Sequence, residues 1–141
     1  MDTNKTLDAW ITIYNTKTPE PFKRDERYAL FFRPDKGFCE VAQTEDMFII
    51  NQLCGDARFW KDKVDETARG VNIKTAGTWC IRPAVLPYIR LFGYEVERAE
   101  KLPDGLKRYF CRHKTTNKQG LVSPAFRYEG GGQAYFITWE V

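Results

Sequence analysis

The sequence predicts a single α+β domain, residues 1–141, built on one mixed, mostly antiparallel sheet with one βαβ crossover helix and a short second helix. Three observations predict it. A chain of 141 residues sits in the size range of one domain. Hydrophobic residues make up 43% and aromatics 15%, enough apolar surface to fill a core and offset chain entropy, which excludes a disordered chain. Runs of β-branched and aromatic residues recur along the chain and are broken by one stretch of helical period.

The elements follow in order. Ala9–Tyr14 (AWITIY) is rich in β-branched and aromatic residues and reads as a strand. Asn15–Arg27, with Pro19 and Pro21, reads as a loop. Tyr28–Arg33, Phe38–Gln43 and Met47–Leu53 read as an antiparallel meander. Pro34-Asp35-Lys36-Gly37 turns the first pair and Thr44-Glu45-Asp46 the second. The period then changes. Asp56 is placed to cap a helix over Ala57–Arg69, with Gly70 to end it. Trp60, Val64 and Ala68 fall on one face of that helix and charged residues on the others, the stripe of a helix lying on a sheet. Val71–Thr78 returns to strand character, so strand, helix and strand imply two parallel neighbours. Pro83 and Pro87 limit the next helix to a short piece, Ala84–Phe92, ended by Gly93. Tyr94–Glu100 and Leu106–His113 form a hairpin around Leu102-Pro103-Asp104-Gly105. Residues 114–124 read as an exposed loop, Gly130-Gly131-Gly132 as a turn, and Ala134–Val141 as a last strand.

Charge and cysteine usage narrow the function classes. Residues 1–100 carry 15 Lys+Arg against 16 Asp+Glu, whereas residues 101–128 carry seven against one. The basic excess is therefore local in sequence. Cys39, Cys54, Cys80 and Cys111 form no C-x-x-C pair, which argues against a zinc ribbon and for packing as small hydrophobes. His113 is the only histidine, which excludes a multi-histidine metal site, so no metal is expected. No apolar run approaches the ~20 residues of a membrane span. The start, MDTNKTLDAW, has no apolar signal core, so the expectation is a soluble cytoplasmic protein away from membranes.

Leu91-Phe92-Gly93-Tyr94 followed by Glu95-Val96-Glu97, set in the order meander, helix, strand, short helix and hairpin, resembles the GCN5-related N-acetyltransferase (GNAT) fold over about residues 28–113. The chain also looks like the small divergent GNAT-like proteins of tailed phages and mobile elements. The resemblance implies acetyl-CoA as cofactor and an N-acylated amine as product. It places the cofactor near Leu53, Gly55 and Arg58, where backbone N–H groups at a helix start hold a pyrophosphate. The matching loop, Leu53-Cys54-Gly55-Asp56-Ala57-Arg58, has one glycine where the family has several, and Asp56 occupies the N–H groups a phosphate would use. The family's general-acid tyrosine falls on Ile89, one residue from Tyr88. Tyr88 is the candidate acid toward the thiolate. Glu40, on a strand of the presumed sheet, is the candidate general base if burial raises its pKa.

A second reading is a small binding or inhibitor protein. Lys107, Arg108, Arg112, Lys114 and Lys118 interleave with Tyr109 and Phe110, a pattern suited to phosphate contact and base stacking or to an acidic protein partner. The plainer account of the same residues is a strand with one buried face and charges on the other.

Overall fold

The computed structural model describes residues 4–81, 84–128 and 132–141. Among them are three helices and eight strands in one mixed sheet. In chain order these are α1 (Leu7–Lys17), β1 (Ala29–Arg33), β2 (Gly37–Gln43), β3 (Met47–Gly55), α2 (Ala57–Gly70), β4 (Thr75–Cys80), α3 (Val85–Leu91), β5 (Tyr94–Lys101), β6 (Lys107–His113), β7 (Gln119–Arg127) and β8 (Gln133–Glu140). The sheet order is β1-β2-β3-β4-β8-β7-β6-β5. β3 and β4 pair parallel and every other neighbouring pair is antiparallel.

Two elements differ from the sequence reading. Ala9–Tyr14, expected as a strand, lies inside α1. The Thr6 side chain accepts the Ala9 N–H at 3.1 Å and caps the helix, with Asp8 in the first turn and Lys17 in the last. Leu7, Trp10, Ile11 and Tyr14 have helical spacing. Tyr14 is buried against Phe22 and Phe38 in a small core on the sheet. That packing outweighs the β-branched propensity of Ile11, Thr12 and Ile13. Residues 114–124, expected as a loop, turn only as far as Lys118 and then enter β7. Pro124 hid this strand. It pairs with Tyr135 on β8, but the β6 ladder stops at Val122, so the missing N–H breaks no bond to β6. The Gly130-Gly131-Gly132 turn lies partly outside the described residues.

α2 follows the sequence pattern closely. Ala57, Trp60, Val64 and Ala68 are buried in the main core beneath it. Asp56 caps it, its Oδ1 accepting the Phe59 N–H at 3.0 Å. The four cysteines are reduced and buried. Burial pushes the Cys39 thiol far up and the Cys111 thiol up to about 11, so both pack as neutral, inert groups.

Candidate functional site

The parallel ladder between β3 and β4 is short. It runs from Met47↔Thr75 to Ile50↔Thr78 and stops, while β3 continues to Gly55 and β4 to Cys80. Beyond that point the strands serve other neighbours. Leu53, Cys54 and Gly55 pair back to Cys39, Phe38 and Gly37 on β2. Trp79 and Cys80 pair with Phe136 and Tyr135 on β8. Thr78 closes the last parallel step, its buried hydroxyl donating to the Ile50 carbonyl at 3.1 Å.

A cleft of about 660 Å³ opens where the two strands part. Leu53 and Tyr88 line its inner end, and Trp79 and Phe126 form one wall. The other wall is the segment between α1 and β1, which contributes Lys23, Arg24 and Arg27 along with Glu20, Asp25 and Glu26. Three cations and three carboxylates thus face the opening. Asp25 is held down to about 2 by hydrogen bonds from the Arg27 side chain and backbone. That pair lies on the surface, where solvent screens it.

The candidate residues divide among different places. Leu53 and Tyr88 come together in the cleft. Tyr88 projects from α3, is 6% exposed, and meets Phe92 edge-on with ring centroids 5.2 Å apart. Gly55 sits instead against the β1–β2 turn. Arg58 donates through Nε to the Leu91 carbonyl at 3.3 Å and lines a separate polar depression between α2 and the β6–β7 turn. The Asp56 carboxylate accepts the Phe59 N–H in the first turn of α2 and pairs with Lys36 at 3.3 Å; these hydrogen bonds lower its pKa.

Glu40 is fully buried, and no lone pair is left for a substrate proton. Its Oε2 accepts from Arg24 at 2.7 Å and from the Asp25 N–H at 3.0 Å. Its Oε1 accepts from Asn51 at 3.1 Å and Gln52 at 2.5 Å. Four donors fill the four acceptor sites of a carboxylate. The residue anchors the cleft wall: Gln52 also donates to the Lys23 carbonyl and accepts the Lys23 N–H. The sequence offered no sign of Arg24, Asn51 and Gln52 as partners, because they lie on a loop and a neighbouring strand.

The basic residues of the hairpin are balanced by its other strand. Arg108 pairs with Glu100 at 3.0 Å, Arg112 with Glu97 at 3.0 Å and Lys114 with Glu95 at 3.6 Å. Lys118 donates to the Val141 carbonyl at 2.6 Å. Lys107 is exposed opposite Lys101. The +6 segment in sequence is therefore close to neutral in space at this hairpin.

Among the described residues, no group of three or more His, Cys, Asp or Glu is placed to hold a metal ion, and no helix is long and apolar enough to cross a membrane. Compared with protein-family models, curated proteins and solved structures, the chain matches none.

Proposed function

We propose that the chain is a GNAT-like protein that takes an acyl-CoA, chiefly through its extended acyl-pantetheine arm, in the cleft between β3 and β4. One observation carries this reading: two parallel strands part after Ile50 and Thr78, leaving a slot with Leu53 and Tyr88 at its inner end. A slender chain with few charges suits a slot between sheet strands. In the reaction an amine attacks the thioester carbonyl, the C–S bond breaks, and the thiolate leaves. In this reading Tyr88, which lines the slot, donates a proton to that thiolate, and the proton the nitrogen sheds as its C–N bond forms returns to the tyrosinate through solvent.

The phosphate end gains little. Asp56 keeps the helix N–H for itself, Gly55 and Arg58 lie away from the cleft, and its mouth is balanced in charge. Binding should therefore be weak and should rest on the arm rather than on the pyrophosphate.

Calorimetric titration with acetyl-CoA and with acetyl-pantetheine tests this. The expected result is weak binding of both with similar affinity, abolished by Leu53→Arg. Tyr88→Phe should bind normally but lose acyl transfer to an amine. No heat and no thermal stabilisation at millimolar ligand would end the reading.

A further inference from the structure

One wall of the cleft carries aromatic rings that the chain's own cations leave alone. Trp79, on β4, and Phe126, on β7, line it. Their ring centroids lie 5.7 Å apart at 57° to each other, a corner of two aromatic surfaces. Phe126 is 47% exposed, so its ring is open to a ligand. Tyr28 lines the cleft from the opposite wall. Elsewhere the chain sets cations over its rings: Lys61 over Tyr94 and Trp139, Arg98 over Phe110, and Lys63 over Phe59. Among the described residues no cation sits over Trp79, Phe126 or Tyr28.

The charges at the mouth are unequal once the chain's own pairs are set aside. Arg27 engages both carboxylate oxygens of Asp25, and Arg24 pairs with Glu40 at 2.7 Å. Glu40 lies behind the lining rather than in it. The lining charges that remain are Glu20, Lys23 and Glu26, whose side chains have no partner among the described residues. Two carboxylates against one ammonium leave these groups one charge negative. Unpaired carboxylates and the electron-rich faces of aromatic rings attract the same thing, a cation. Hydrogen bonding decides which kind. Asp25 commits both oxygens to Arg27, and Gln52 Oε1 accepts the Lys23 N–H. A primary ammonium set against the rings would leave N–H donors unmet, at a desolvation cost. A quaternary ammonium has no N–H and loses none.

We propose that this part of the cleft binds a small quaternary ammonium ligand, a trimethylammonium group on a short polar chain. Its methyl groups lie against Trp79 and Phe126, and Glu20 and Glu26 offset its charge across the opening. The attraction of a desolvated cation to ring faces supplies most of the affinity. The exposed carboxylates add a smaller, salt-sensitive share. The inner end of the cleft at Leu53 takes no part, so the inference does not rest on acyl transfer.

Calorimetric titration of the full chain with choline tests the site, and it needs no acyl donor, so it succeeds or fails apart from acetyl-CoA binding. Two isosteres separate the contributions. 3,3-Dimethyl-1-butanol keeps the shape without the charge, and ethanolamine keeps the charge with N–H donors in place of methyl groups. The expected order is choline tightest, with both isosteres weaker by about fivefold or more. Phe126→Ala, at an exposed ring, should weaken choline by about fivefold without changing the unfolding midpoint. Glu20→Gln combined with Glu26→Gln should weaken it by about threefold at low salt and less at high salt. No heat at tens of millimolar choline, equal binding of the neutral isostere or of ethanolamine, or choline binding unchanged in Phe126→Ala would each overturn the proposal.

Discussion

Gly37 and Gly55 face each other across the β2–β3 ladder so closely that neither has room for a side chain. A Cβ on Gly37 would lie 1.9 Å from the Cys54 carbonyl oxygen, and one on Gly55 would lie 2.1 Å from that of Lys36. Both have left-handed φ, +94° and +110°. The closeness has a structural return. The Lys36 carbonyl accepts the Asp56 N–H at 3.0 Å and the Trp60 indole N–H at 2.8 Å, so the pair fixes where α2 begins. Gly55 serves this contact.

Gly55→Ala should therefore destabilise the protein by about 3 kcal/mol or more, since a strained φ alone costs 1–3 kcal/mol and the clashing atoms are backbone. Gly70→Ala is the control: a Cβ there meets nothing within 4 Å and should be nearly neutral. Urea unfolding midpoints measure both. Equal, small effects at the two sites would show that the ladder relaxes and that the contact does not hold α2.

Glu40 gives a second prediction. Removing one partner of a buried ion pair leaves the others unpaired, at a cost of about 3–5 kcal/mol. Glu40→Ala strands Arg24, the Asp25 N–H, Asn51 and Gln52 together. Arg24 is 38% exposed and can turn to water, which puts the expectation near 3 kcal/mol. Glu40→Gln keeps the shape and should cost about 1–2 kcal/mol. In either variant the Lys23–Tyr28 wall should loosen, seen as faster amide exchange there than in β8. A general base would behave otherwise: Glu40→Gln would abolish acyl transfer while leaving stability and exchange unchanged.

How much of this was legible in the sequence depends on whether the partners were local. α2 was readable because its cap, stripe and charged faces all lie within one segment. The β5–β6 hairpin was readable because Pro103 and Gly105 mark its turn. α1 was misread because its first face, Leu7 to Tyr14, is decided by packing on Phe38 and Phe22, which no local propensity encodes. The pairing of the basic segment was hidden for a related reason. Counting charge along the chain separated Arg108, Arg112 and Lys114 from Glu100, Glu97 and Glu95, which the hairpin brings side by side. Of the candidate residues, Leu53 and Tyr88 were named through the family resemblance, and the fold sets both on one cleft. The wall anchored on Glu40 was not legible, since it depends on four donors from two other segments.

His113 gives the last prediction, and its sign follows from geometry. Its Nδ1 accepts the Thr115 N–H at 3.3 Å and the Thr116 N–H at 3.2 Å, which requires an unprotonated nitrogen. Burial, then the nearby Lys61 charge, lowers its pKa below the ordinary 6.5; a hydrogen bond to the Phe92 backbone and the charges of Asp62 and Asp65 oppose this. The unfolded chain then binds a proton that the folded one resists. Stability is full above pH 6.5 and falls as the pH drops from 6.5 toward the lower folded value. The carboxylates with lowered pKa, Asp25 and Asp56, lose their contribution only below about pH 4, so the two windows separate. His113→Asn keeps an acceptor for the turn N–H groups and removes the titration. Unfolding midpoints at pH 7.5 and 5.0 should fall for the natural chain and stay level for His113→Asn. Parallel losses in both proteins would assign the acid sensitivity to other groups and end this account of His113.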